Sequence, residues 1–153
     1  MEDYGMLWDD YSMEFHAKLV DSNGDWTKLD NDEQEIAALW KLFVDINNGG
    51  FIQFFCNWGY PCLCYAMRGL ERMEDTSLYD LLSDTYYAVL EKFKDDTRLT
   101  AYWDIPEYLT DEDEERLNAA DTQFYETECE RFTKMAYEFY HQTLKKTVTP
   151  IND

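Results

Sequence analysis

Positive charge is what this sequence has least of. Only 13 Lys and Arg stand against 33 Asp and Glu, so the 153 residues carry a net charge of -20. Such a field repels nucleic acid and anionic membranes and draws in basic surfaces, which excludes direct nucleic-acid binding. Long apolar runs are also missing: none approaches the roughly 20 residues of a membrane span. The start, Met1-Glu2-Asp3-Tyr4, is acidic where a secretory signal is basic and then apolar, so a cytoplasmic protein is expected. In that compartment the four cysteines, Cys56, Cys62, Cys64 and Cys129, read as buried reduced thiols.

Catalytic signatures are equally scarce. The two histidines, His16 and His141, have no Cys or second His nearby, and Cys62-Leu63-Cys64 is too tight for the usual zinc knuckle. No nucleophile elbow, P-loop or dinucleotide fingerprint is present, and the one Gly-Gly pair is followed by Phe51. The loop Asp21-Ser22-Asn23-Gly24-Asp25 has oxygen side chains at calcium-loop positions. Trp26 stands where that loop needs glycine, however, so an Asn-Gly turn is the better reading. No metal, no cofactor and no enzymatic activity are expected.

What is there is helical patterning. Hydrophobic residues make up 45% of the chain, enough to exclude general disorder. Tyr4, Leu7, Tyr11, Phe15 and Leu19 recur at helical steps. Asp30 with Glu33 forms a capping box ahead of Ile36, Leu39, Trp40, Phe43 and Ile46. Asn47-Asn48-Gly49-Gly50 reads as a helix stop, and Tyr60-Pro61 as the opening of another helix. Ser77 with Asp80 offers a second box, and Thr110 with Asp113 a third before a long, bent C-terminal helix. Residues 94–106 read as a loop with a short extended piece around Leu99 to Trp103. The expectation is an all-α chain of six or seven helices, with residues 1–146 as one acidic domain and 147–153 as a frayed tail.

Acid is concentrated near the C-terminus: Asp104, Glu107, Asp111, Glu112, Asp113, Glu114, Glu115, Asp121, Glu126, Glu128, Glu130 and Glu138, opposed only by Arg116, Arg131 and Lys134. Side chains three or four apart on a helix have Cβ atoms about 5–6 Å apart, the order of spacing needed to imitate successive phosphates. Asp111, Glu114 and Glu115, and Glu126 with Glu130, can present such rows. Acids in a helix's first turn also meet its dipole favourably, so each row has a plain structural reading beside the functional one.

The densest apolar stretch is Phe51-Ile52-Gln53-Phe54-Phe55-Cys56-Asn57-Trp58. It reads as a short core helix in which Gln53 and Asn57 satisfy nearby backbone. With Gly49 and Gly50 before it, the run Asn48 to Asn57 resembles the hallmark of a bacterial family of small acidic helical proteins grouped with a DNA-mimic protein. The later Leu117-Asn118-Ala119-Ala120-Asp121-Thr122-Gln123-Phe124-Tyr125 resembles a second signature of that family, in which an Asp is followed closely by Phe-Tyr. Arg72-Met73-Glu74 departs from it, since relatives tend to carry Ile-Gly-Ala there. In this resemblance the signature residues Gly49, Gly50, Phe51, Gln53, Phe54 and Asn57 are structural. The resemblance implies a non-catalytic, dimeric inhibitor whose carboxylates occupy the DNA-binding face of a transcription factor, nucleoid protein or nuclease. The alternative is an immunity protein or antitoxin that neutralises a co-encoded toxin, with Trp8, Trp26 and Trp103 as candidate interface anchors.

Overall fold

Carboxylates and hydroxyls set where the helices begin. In the computed structural model, which describes residues 2–151, α1 (Tyr4–Asp21) starts where Asp3 accepts the Met6 N–H. It stops at Asn23 and Gly24, both in the left-handed region. Asp25, an acid of the calcium-like loop, accepts the Thr27 N–H and hydroxyl and starts a 3₁₀ turn, Trp26–Lys28. The Asp30–Glu33 box forms as expected and opens α2 (Asn31–Arg72). α3 (Thr76–Thr85) begins at Asp75, which accepts the Leu78 N–H, rather than at Ser77. The reason is local: Glu74 takes a φ of 61°, which ends α2 and turns the chain one residue before Asp75.

α3 runs on through a π turn (Tyr86–Leu90) and a 3₁₀ turn (Glu91–Phe93). The extended piece expected around Leu99 to Trp103 is absent. Asp104 instead accepts the N–H groups of Thr100 and Ala101 and winds the chain into a 3₁₀ helix, Tyr102–Tyr108, that buries Ile105. The Thr110–Asp113 box then opens α4 (Asp111–Gln123). A π turn (Phe124–Glu128) leads into α5 (Cys129–Ala136), and a second π turn (Tyr137–Thr143) completes one continuous bent rod.

The chain is all-α: among the described residues there is no strand, and five α-helical elements form rather than six or seven. The count falls only because α2 runs as one element across kinks that lie where the stop and the restart were expected. Gly49, Gly50 and Gly59 leave helical geometry, yet the helical path resumes after each break. Pro61 sits just past Gly59, in the first turn of the resumed segment, where its missing N–H costs nothing. α2 is the central element; α1, α3, α4 and the 3₁₀ helix all pack on it.

The core joins Trp8 and Phe15 of α1, Ile36, Leu39 and Phe54 of α2, and Phe124, Phe132 and Tyr140 of the C-terminal rod, all fully buried. Burying each such side chain contributes roughly 1.5–3 kcal/mol. Trp8 is therefore not the surface anchor its sequence suggested. All four cysteines are free; Cys56 and Cys62 are buried as expected, whereas Cys129 is half-buried and Cys64 exposed. Among the described residues no helix is long and apolar enough to cross a membrane.

The C-terminal segment is tied down where fraying was expected. The Thr149 N–H and hydroxyl donate to Glu33, which also takes Lys18 Nζ at 2.8 Å, and Val148 packs against the core. Met1, Asn152 and Asp153 lie outside the described residues, so that expectation is followed only to Ile151.

Candidate acidic interface

The twelve carboxylates of the C-terminal region, ten on the rod and Asp104 and Glu107 on the 3₁₀ helix before it, sort by what they touch. Four are tied to donors and hold the fold, Asp113 and Glu128 buried, Asp104 and Asp121 only partly so. Asp113 takes the Thr110 N–H and the Lys92 ammonium. Burial works against that carboxylate, but these partners outweigh it and hold its pKa below the ordinary value. Glu128 is buried beside Arg131 at 3.0 Å and Thr127; the same balance of burial against donors lowers its pKa too. Asp104 caps the 3₁₀ helix, where the Thr100 N–H and hydroxyl and the Ala101 N–H keep it ionised. Asp121 accepts the Phe51 N–H at 2.9 Å, with its pKa raised by burial.

Two more pair along the rod: Glu112 with Arg116 at 3.1 Å and Glu138 with Lys134 at 4.0 Å. The remaining six are Glu107, Asp111, Glu114, Glu115, Glu126 and Glu130. All are exposed, and among the described residues none has a side-chain hydrogen-bond or ion-pair partner. All five acids singled out from the sequence fall in this group. Asp111, Glu115, Glu126 and Glu130 lie at helical steps on the solvent side of a rod whose opposite side buries Leu117, Ala120, Phe124, Phe132 and Ala136. From Asp111 to Glu130 the rise is on the order of 28 Å at 1.5 Å per residue.

The aromatic signature is the clasp that seats this rod. Phe51 donates its N–H to Asp121 and sets its ring 6.2 Å from that of Phe124, while the Tyr125 hydroxyl donates to the Ile46 carbonyl. The two stretches that carry the family resemblance thus meet each other in space. Gly50 is required at the junction: its φ is +84°, and a Cβ there would lie 2.3 Å from the Asp121 carboxylate. Gly59, at φ +72°, leaves room for Tyr102, which an added Cβ would meet at 2.4 Å.

Gln53 does not satisfy backbone as expected. Its amide donates to Asp45 at 3.0 Å, and Trp58 Nε1 donates to the other Asp45 oxygen at 2.7 Å. Phe54 is buried in the core, whereas Asn57 is exposed.

Sequence reasoning missed the cluster behind Asp45. Lys41 is 1% exposed, with Nζ 2.6 Å from His16 Nδ1 and 3.4 Å from the centre of the Trp58 ring. Burial pulls the Lys41 pKa down to about 8, against the pull of Asp45 one turn along. His16 stacks on Trp40 and is held at about 4 by burial and by the Lys41 charge, so it is neutral and accepts from the ammonium. The signal was in the sequence: Lys41 sits at an inward position of α2, between Ala38 and Asp45.

Among the described residues no group of three or more His, Cys, Asp or Glu is arranged to hold a metal. No curated protein and no solved structure matches the chain. The DMP19-like protein profile, that of a DNA-mimic family, matches residues 27–143, which runs from the turn before α2 to the end of the C-terminal rod, and the chain belongs to this family.

Proposed function

We propose that the protein is a non-catalytic DNA mimic that binds and inhibits a basic DNA-binding protein through the solvent face of α4 and α5. The observation that carries this is the set of exposed carboxylates with no side-chain partner among the described residues: Asp111, Glu114, Glu115, Glu126 and Glu130. An acid kept for stability finds a donor, as Asp113, Asp121 and Glu128 do. These five do not, and they repel one another at a cost that a basic surface would relieve. Their span of about 28 Å matches roughly eight base pairs at 3.4 Å each. Membership in a DNA-mimic family supports a DNA-binding protein as the partner class.

The test is capture from host lysate at low salt, elution along a salt gradient, and competition with duplex DNA. A DNA-binding protein released both by moderate salt and by duplex, and lost from a Glu126→Gln/Glu130→Gln bait, is the expected result. Affinity that does not change between low and high salt would remove the reading.

One observation favours a second reading. Trp103 is 58% exposed, beside the exposed Tyr102, and gives an immunity protein the aromatic anchor that buried Trp8 cannot supply. A salt-resistant partner lost on Trp103→Ala would establish that reading in place of the first.

A further inference from the structure

α1 carries apolar side chains on two sides, where a helix packed on one core needs only one. Trp8, Phe15 and Leu19 are buried. On the far side Met6 is 64%, Met13 47% and Val20 58% exposed. These three stand seven residues apart, so at 3.6 residues per turn they project within about 40° of one another. Ala17, also exposed, falls beside them. The stripe is on the order of 21 Å long at 1.5 Å per residue. Single exposed apolar residues need no account, but a row at heptad spacing is the pattern by which one helix receives another.

The stripe faces away from the acidic rod. On the inner side of α1, Trp8 meets Phe132 of α5 with ring centres 6.0 Å apart. α1 also lies ahead of residues 27–143, the span shared with the family, so that membership does not account for its outer face.

Charge around the stripe defines the helix it suits. Asp10, Glu14 and Asp21 run along one edge; all are exposed, and among the described residues none has a side-chain partner. Asp9 on the other edge accepts Trp40 Nε1 at 2.9 Å. Lys18, the only lysine of α1, is turned inward onto Glu33 at 2.8 Å. α1 therefore offers apolar surface bordered by acid alone. A second copy of the chain would bring acid against acid, since each carries -20. A helix with one apolar face and lysine or arginine beside it complements both the stripe and its edge.

We propose that the outer face of α1 docks a basic amphipathic helix of the partner, its apolar side on Met6, Met13 and Val20 and its cations beside Asp10, Glu14 and Asp21. The unbranched methionines adapt their shape to the side chains they meet. The proposal rests on the reading of the protein as a binder of basic proteins, and it adds an apolar contact remote from the rod.

The test is calorimetric titration of the full chain with two leucine–lysine peptides of identical composition, each about 18 residues long. One has its leucines at heptad positions; the other has them spread around the helix. The native protein should bind the first about tenfold tighter. Met6→Gln/Met13→Gln/Val20→Gln should erase that preference, and Met13→Leu, which keeps the site apolar, should retain it. All three residues are exposed and glutamine suits a helix, so thermal melting should move little and separates lost docking from lost fold.

Glu126→Gln/Glu130→Gln should weaken both peptides equally and leave the preference intact. If that variant binds both as the native protein does while the α1 variant loses the preference, docking on α1 stands and the acidic rod falls. Equal affinity for the two peptides, a preference that survives the triple substitution, or a native chain that sediments as a dimer dissociated by that substitution would overturn the proposal.

Discussion

Asp121 and Glu126 lie little more than a turn apart on one helical rod, yet one is half-buried against the Phe51 amide and the other is exposed with no side-chain partner among the described residues. The same contrast runs along the molecule. Asp121 binds the aromatic signature to the rod and Asp45 binds it back to the first part of α2, whereas among the described residues Asp111, Glu114, Glu115, Glu126 and Glu130 have no side-chain partner. Carboxylate chemistry is common to both groups; surroundings divide them. In the clasp a carboxylate is useful because it accepts from the partly buried Phe51, Gln53 and Trp58 donors. On the outer face it is useful because its charge reaches outward undiminished.

Substitutions that strike the clasp should have the largest effect on stability. Gly50→Ala forces a side chain into the left-handed region and against Asp121, and should cost about 3 kcal/mol or more in urea unfolding. Next is Asp45→Ala, which leaves the Gln53 amide and Trp58 Nε1 without their acceptor. It should cost about 2 kcal/mol, and much less in a Trp58→Phe background, as a double-mutant cycle would show.

A pH titration sharpens the contrast further. The His16 pKa is about 4 in the folded chain and near its ordinary 6.5 when unfolded, so between those values the unfolded chain binds the extra proton. The contribution is complete above pH 6.5 and is lost as pH falls through 4. It amounts to about 2 kcal/mol after a discount for partial exposure. Replacement by His16→Gln should flatten that slope.

The outer face should respond least. Glu126→Gln/Glu130→Gln should shift stability by no more than about 0.5 kcal/mol, towards greater stability as repulsion falls, while partner binding drops. A loss comparable to that of Asp45→Ala would show that these acids are structural.

The outer acids were legible in the sequence because exposure of a charged helical position is the default, and all five expected positions are exposed. Capping boxes at Asp30 and Thr110 were legible too, since they depend on residues only three apart. The clasp was not. The link between Phe51 and Asp121 spans 70 residues, and no local pattern records which carboxylate a backbone N–H will meet. The Lys41–His16 pair escaped for the same reason, being made across two helices from residues that look unpartnered along the chain. Gly49-Gly50 was legible as a stop, since both glycines leave helical geometry there, but the helix that resumes beyond them is set by packing that the glycines do not encode.

The 70-residue separation across the clasp also bears on how the molecule assembles. The acidic rod must be brought back against α2 while its carboxylates repel the other acids of a chain at -20. Dissolved ions shorten the reach of that repulsion to about 8 Å at physiological strength, so they hasten loop closure. The same ions weaken capture of a basic partner. Refolding should therefore quicken with added salt over the range in which binding fades, so that one protein's assembly and use respond to ionic strength in opposite directions.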